Sequence, residues 1–492
     1  NVLIIGAGFA GIGMAIALRQ AGITDFAVLE RAGEVGGTWR DNHYPGAACD
    51  VESHLYSFSF EPNPDWTRAF AGQREILEYM KHCADKYGVR PFIRFRASVK
   101  RARWDEGAGR WHVELDDGVV LTARVLISGC GGLSRPAHPD IVGLGRFAGR
   151  IFHSSQWDHE FALDGKRVAV IGTGASAIQI VPKIAPRVRR LSVYQRTPPW
   201  IVPKPDRAIR PFERALFRRL PVAQALVRRI FYWQREAFAL GFVTDTRLLK
   251  LLEGPARRYL RKSVKDCALR DKLAPSYAMG CKRILPTNDY YPALQRPNVE
   301  LVTEAIQEVT RDGVLTSDGK ERPLDAIILA TGFQVAEHVA PFEIEGREGR
   351  SLQTEWRDAA EAYLGTTVSG FPNLFFITGP NTGLGHSSMI EMIESQIAYI
   401  RDAIETMRRD GLKLVNVRSG AQARFNARIH ERLAGTVWAS GCKSWYRTRS
   451  GKNTTLWPGF TFEFRRRTRR FDPGPYELVP LGDDRTANPL PE

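Results

Sequence analysis

At 492 residues, 43% hydrophobic and 25% charged, the chain has the composition of a globular protein with room for two or three cored domains, which excludes a disordered or fibrous chain. No apolar run reaches the roughly eighteen residues that a spanning helix needs, so a transmembrane helix is excluded as well. Seventy basic against 54 acidic residues leave a net charge of +16, which suits anionic partners, but no nucleic-acid-binding motif accompanies it and nucleic acid is set aside.

The opening VLIIGAGFAGIGMAIALRQAG predicts an apolar strand, a turn carrying Gly6, Gly8 and Gly11, and an Ala-rich helix stopped by Gly22. This is the context in which G-x-G-x-x-G binds a dinucleotide: the glycines admit the pyrophosphate and the helix N-terminus holds its charge. The next strand, FAVLE, ends in Glu30, whose carboxylate can accept from both ribose hydroxyls and leaves no place for a 2′-phosphate. In the stretch GEVGGTWRDNHYPGAACDVESHLYSFSF, Gly36 and Gly37 bring backbone to the cofactor, Thr38 offers a hydroxyl, and Trp39 and Tyr56 offer flat faces. A strand running into glycines, VLISGCGG, closes this part of the chain.

After the linker FAGRIFHSSQW comes a second strand, turn and helix, RVAVIGTGASAIQIVPKIA, with Gly172, Gly174 and Ala177 in the glycine positions. Thr173 and Ser176 in the same turn are counted as cofactor contacts. The following strand, LSVYQRT, ends in Arg196 and Thr197. The register repeats: 30−11 = 19 from Gly11 to Glu30, and 196−177 = 19 from Ala177 to Arg196. An acid at the first site and a cation at the second is the exchange that a 2′-phosphate requires, so the first site suits FAD and the second NADPH.

From 203 to 280 the pattern is helical, broken at Pro221 and near Gly254-Pro255, and between Asp206 and Lys272 it holds seventeen basic against seven acidic residues. Such a basic stretch with aromatics can roof a substrate site or rest on an anionic membrane surface, and the roof is the preferred expectation. Beyond it, DAIILATGF is a short buried strand, and FPNLFFITGPNTGLGHSSMIE repeats strand, turn and helix start. Ser388 and Glu391 form a predicted capping box, with an Ile stripe from Ile393 to Ile404 behind it. The helix start at Met389 is placed against the flavin, where its dipole would favour negative charge.

The expected fold is therefore α/β, with two Rossmann-like dinucleotide-binding domains. An NADPH domain (136–200 and 281–336) is nested within an FAD domain (1–135 and 337–492), and 201–280 forms a helical insertion. The six cysteines, Cys49, Cys83, Cys130, Cys267, Cys281 and Cys442, have no metal or redox spacing. They read as free thiols of a cytoplasmic protein, and no metal site is expected.

In the linker, Phe147, Gly149, His153 and Trp157, followed by Asp158, form F-x-G-x-x-x-H-x-x-x-W. This resembles the fingerprint of type I flavin-dependent Baeyer–Villiger monooxygenases, the class B flavoprotein monooxygenases. The related flavin-containing monooxygenases and N-hydroxylases generally end the pattern in Tyr or Phe. The resemblance runs in motif order from residue 1 to about 400. It implies that Asp50, in CDVES, sits beside the flavin; that Lys282, in GCKRIL, meets the NADPH phosphate; that Arg283 meets the flavin; and that Trp445, in SWY, belongs to a mobile loop over the nicotinamide.

The implied activity is NADPH reduction of FAD, uptake of O2 as a C4a-peroxyflavin, and attack of that anion on a ketone to give an ester or lactone. Arg283 would support the peroxide and the oxyanion of the adduct, and Asp50 would orient it. A protonated peroxide would instead oxidise sulfur or nitrogen. A flavin-dependent disulfide reductase is a remote alternative, since Cys49 has no close cysteine neighbour, and a sensor without turnover is a third reading. The expected partners are a small ketone or sulfide and O2, with peripheral membrane contact through the basic helices as a further possibility. His153 and Trp157 are expected to clasp both domains at a hinge. GPNTGLGHSS and the segment from Gly451 to Phe471 depart from the cyclic-ketone members, which leaves the substrate range open.

Overall fold

The computed structural model describes residues 1–334, 340–441, 446–448 and 450–482. Two five-stranded sheets, parallel throughout, dominate it. In the first, the strands run in the order Leu374–Phe376, Val125–Ser128, Val2–Ile5, Phe26–Glu30, Ile93–Phe95, with Ile4 opposite both Val28 and Ile127. In the second, the order is Val299–Val302, Arg190–Tyr194, Arg167–Ile171, Ala326–Leu329, Arg150–His153. Strands such as VLII, VLIS and AIIL are buried along their whole length, as apolar strands covered on both faces must be.

Each glycine turn leaves the central strand of its sheet. Val2–Ile5 feeds the Phe9–Gln20 helix, and Arg167–Ile171 feeds the Ala175–Ile184 helix. In both sheets the chain first builds outward on one side of that strand and later returns to its other side, which makes the strand's C-terminal end a topological switch point and opens a crevice there. The two crossings between the sheets run beside each other as a short antiparallel ribbon. Ala137 N donates to Gly332 O at 2.9 Å, Gln334 N to Arg135 O at 3.2 Å, and Thr331 Oγ1 to Ala137 O at 2.6 Å.

The segment 201–280 hangs from a two-stranded foot, in which Ile201–Val202 pairs parallel with Leu285–Pro286. It carries helices Pro211–Arg219, Pro221–Val243, Arg247–Ser263 and Cys267–Lys272. Pro221 does interrupt the pattern, as the first residue of a helix, where its missing N–H costs nothing. At Gly254-Pro255 the expected break does not occur, and the helix continues through Pro255. Gly254, Pro255 and Leu251 are all exposed, so water can take the carbonyl that Pro255 cannot bond. Tyr232, Phe242 and Leu249 join the core around the first sheet, while Leu260, Val264 and Leu273 join that around the second. The helices thus pack on both units rather than on the second alone. No described helix is long and apolar enough to cross a membrane.

The Met389–Arg409 helix is capped differently from the expectation. Ser388 Oγ accepts from Ile390 N at 3.3 Å, but Glu391 does not reach back to close the box, because Arg228 of the Pro221–Val243 helix takes its Oε1 at 2.7 Å. An ion pair between two largely buried side chains outcompetes a backbone N–H.

Candidate active site

Both switch points open on one cleft of about 1390 Å³, more than the few hundred to about 1,000 Å³ that accommodate a single small ligand. The first turn enters it through Gly6 and Gly8. Gly11 lies behind, where a Cβ would stand 1.8 Å from the Gly6 carbonyl oxygen, so helix and strand can approach only through a glycine. In the second turn Gly172 has φ +117° and a Cβ there would meet Ala330 O at 2.3 Å, whereas a Cβ on Gly174 would meet nothing within 4 Å. Gly174 therefore borders open space of the kind a pyrophosphate fills. Thr173 Oγ1 donates to Thr197 O at 3.0 Å, tying the turn to the end of the next strand, and Ser176 lines the cleft beside it.

At the end of its strand Glu30 is buried and well bonded. Oε2 accepts from Ala7 N at 2.8 Å, and Oε1 accepts from Ala32 N at 2.9 Å and from Arg40 Nη1 at 3.0 Å. Three protein donors fix the carboxylate and leave Oε2 with an accepting position to spare for a ribose hydroxyl. Arg40 is a site residue that the sequence did not reveal. Its position, ten residues after Glu30, follows from the Thr38–Asp41 helical turn, which depends on Gly37 at φ +49°. Gly37, Thr38, Trp39 and Tyr56 all line the cleft, with Trp39 Nε1 donating to Tyr56 Oη at 3.1 Å and the rings edge to face.

The matching end of the second sheet is cationic. Arg196 and Thr197 follow the Arg190–Tyr194 strand into the cleft, and Lys282 arrives from the segment beyond the helices. The Lys282 pKa is held below its usual value by burial and then by the nearby Arg196 charge. Its Nζ lies 4.9 Å from the centre of the Tyr277 ring, and neither cation has an ion-pair partner among the described residues. Two like charges facing one space without a counter-ion fit a bound phosphate.

Arg283 and Asp50 meet as expected. Arg283 donates from Nε to Asp50 Oδ2 at 2.6 Å and from Nη2 to Oδ1 at 2.7 Å, leaving Nη1 with only a long contact to Leu384 O at 3.5 Å. Burial pushes the Asp50 carboxyl up, but Arg283, helped by Arg235 and Lys204, outweighs it and holds the pKa below the usual carboxylate range. The Asp50 charge raises the Arg283 pKa further, so Arg283 is a permanent cation. Lys204 Nζ donates to Cys49 O at 3.2 Å, and Arg235 bonds Glu52 at 2.9 and 3.0 Å. Neither was foreseen, because each lies more than 150 positions from Asp50 and only folding brings them together.

The helices of 201–280 do not roof the cleft. From that stretch only Tyr277, beyond the last helix, lines it, and Arg235 braces Asp50 and Glu52 from behind. His386 was also missed. It is buried, its ring nitrogens have no hydrogen-bond partner among the described residues, and burial pushes its pKa down to about 3. Met389, at the start of its helix, lines the cleft, whereas Trp445 lies outside the described residues.

The linker motif straddles an edge strand. Phe147 packs on one face of the second sheet, and Trp157 on the other, against Phe152 at 5.2 Å. A Cβ on Gly149 would stand 2.6 Å from both Asp325 O and the Phe147 ring. His153 is buried at the end of its strand, under the crossing ribbon, with ring contacts to His138 at 6.0 Å and Phe333 at 5.6 Å, one from each crossing. Ser155 N donates to its Nδ1 at 3.2 Å, which places the ring proton on Nε2. Only His153 reaches the ribbon. Trp157 stays within the second sheet's core, because the turn Ser154–Gln156 carries the chain away from the crossings.

Cys49, Cys83, Cys130 and Cys267 are free, while Cys281 is disulfide-bonded, contrary to the expectation for that position; Cys442 lies outside the described residues. No group of three or more potential metal ligands occurs among the described residues.

Residues 3–230 match the family described as pyridine nucleotide-disulphide oxidoreductase. The chain is 51% identical to a Baeyer-Villiger monooxygenase of Pseudomonas aeruginosa, over 97% of this chain and 91% of that protein. It is 50% identical to a Baeyer-Villiger monooxygenase of Streptomyces coelicolor, over 97% and 92%. Among solved structures it resembles OTEMO in complex with FAD and NADP, with a TM-score of 0.87 at 30% identity, covering 97% of this chain and 99% of that one.

Proposed function

The chain belongs to the Baeyer–Villiger monooxygenases, and from that premise we propose how its own residues insert oxygen beside a ketone carbonyl. It is an oxidoreductase that uses FAD, NADPH and O2. When bound, FAD would supply the redox chemistry by which electrons from NADPH send one atom of O2 to the substrate and the other to water.

Around that chemistry the chain binds, orients and stabilises. Residues 1–135 and 337–492 hold FAD, through Gly6, Gly8 and Gly11 at the pyrophosphate, Glu30 at the ribose, and Gly37, Thr38, Trp39, Tyr56 and Met389 along its length. Residues 136–200 and 281–336 hold NADPH, through Gly172, Thr173, Gly174 and Ser176, with Arg196, Thr197 and Lys282 at the 2′-phosphate.

The observation that carries the ketone reading is Arg283, fixed by two bonds to Asp50 with N–H groups left over in the cleft. When a C–O bond forms at a carbonyl carbon, the carbonyl oxygen becomes an oxyanion, and a fixed cation with spare donors stabilises that charge. Oxygen transfer to sulfur or nitrogen leaves no such oxyanion on the substrate, so it makes less use of Arg283. Cys49, next to Asp50, has its thiol pushed up to about 12 by burial and is a poor nucleophile for a reductase. The test is a panel of aliphatic, cyclic and aryl ketones and thioethers under labelled O2 with NADPH. Esters or lactones carrying one labelled oxygen are expected; sulfoxides alone, with ketones inert, would overturn the ketone assignment.

A further inference from the structure

The Pro221–Val243 helix carries apolar residues on both sides. Its buried side sets polar groups among Tyr232, Ala239 and Phe242. Gln224 donates to Asn63 O at 2.6 Å, Arg228 and Arg235 bond Glu391 and Glu52, and Glu236, 2% exposed, accepts from Thr461 N at 3.0 Å and Thr461 Oγ1 at 2.6 Å. Its outer side is apolar: Val222, Leu226, Ile230, Trp233 and Leu240 are between 40% and 81% exposed and recur at the three-, four- and seven-residue spacings of one helical face. From Val222 to Leu240 the stripe runs about 27 Å at the helical rise. It continues onto Phe462, whose ring lies 6.2 Å from Trp233; Phe212 and Leu216 of the preceding helix and Leu220 at the junction are exposed as well. A contiguous apolar patch of this kind marks an interaction surface.

The charges around the patch are mostly basic, the part-exposed Asp65 that pairs with Arg218 being the acid at one end. Arg229 lies within the stripe, Arg218 and Arg219 flank one end, and Arg465 and Arg466 stand beside Phe462, all exposed. From Arg210 to Leu240 the acids are Glu213, bonded to Arg207 at 2.7 Å, and the buried Glu236, so no free carboxylate faces outward. Two copies joined face to face would bring these arginines together. An anionic surface would complement them, and apolar side chains with Trp and Phe bordered by arginine are what an interfacial helix presents to lipid. The apolarity needed to cross the bilayer is lacking.

We propose that this face docks on an anionic phospholipid bilayer, with the Pro221–Val243 helix lying in the plane of the interface. The docking is independent of the reaction in the cleft, since none of these residues lines it.

The test is co-sedimentation of the purified enzyme with vesicles of phosphatidylcholine alone and of phosphatidylcholine mixed equally with phosphatidylglycerol, together with sedimentation velocity to fix its oligomeric state. Binding to the mixed vesicles at least about tenfold tighter than to the neutral ones, weakened by salt, is expected. The combined variant Leu226→Ser, Ile230→Ser, Trp233→Ser should lose that binding, and Arg219→Glu with Arg229→Glu should lose it in the same way. Both should keep flavin content and ketone-dependent NADPH oxidation in the absence of vesicles, which separates this proposal from the catalytic one. Absence of binding, equal binding to both vesicles, or a dimer that the serine variant dissolves would each overturn it.

Discussion

Arg196 and Lys282 face one space with no counter-ion, and that carries the sharpest consequence at the scale of single residues. A hydrogen bond to a charged group contributes about 1.5–3 kcal/mol, so Arg196→Ala or Lys282→Ala is expected to weaken NADPH about ten- to hundredfold and NADH little. Steady-state KM values for both donors check this, and equal loss for the two would place the phosphate elsewhere. Glu30→Ala would leave Ala7 N, Ala32 N and Arg40 without their acceptor in a buried place. A lower Tm together with reduced flavin retention, read by thermal unfolding and absorbance, is the expected outcome. Glu30 and Arg196 were legible in the sequence because each ends a strand that follows its glycine turn at a fixed spacing, a relation set by local geometry. Arg40, Lys204, Arg235 and His386 were not. Arg40 depends on the local turn after Gly37, the other three come from far along the chain, and no periodicity connects any of them to Glu30 or Asp50.

At the scale of elements two glycines of the second turn make opposite predictions for the same substitution. Gly172→Ala forces a methyl onto Ala330 O in a backbone region that L side chains avoid, so a loss of stability is expected. Gly174→Ala places its methyl in open space, so Tm should hold while the KM for NADPH rises, because the methyl occupies ground that the pyrophosphate needs. Thermal unfolding and donor kinetics on the two variants separate these effects. The helices of 201–280 were legible as helices but not in their placement. Periodicity shows that a helix has two faces and assumes that the apolar one is inside. In Pro221–Val243 the ion pairs to Glu52 and Glu391 and the bonds to Glu236 put charged groups on the buried side beside Tyr232 and Phe242 and leave an apolar stripe outside. The capping box at Ser388 failed for the same reason, since Glu391 had a better partner across the fold.

For the whole molecule, the nesting of one parallel sheet inside the other follows from the order of the motifs, and the cleft follows from two switch points facing each other. The ribbon that joins the halves, with His153 beneath it, could not be read from a linker motif alone. His54 and His153 are held neutral by burial, with pKa values lowered to about 4, and His386 to about 3. In the unfolded chain each would bind a proton below about 6.5. The folded state is therefore at full relative stability above that pH and loses it as pH falls from 6.5 towards 4, by up to about 3 kcal/mol per histidine. Tm measured against pH should show this decline, and replacing His153 with Gln should flatten part of it.

The central claim is that Arg283, anchored by Asp50, stabilises the oxyanion of the carbonyl while binding and reduction of the flavin rest on other residues. Anaerobic flavin bleaching by NADPH and ester formation per NADPH consumed, measured side by side for the native enzyme and Arg283→Ala, test it directly. Bleaching should persist in the variant while the rate of ester formation falls about 10²–10³-fold. An undiminished ester yield from Arg283→Ala would contradict the account.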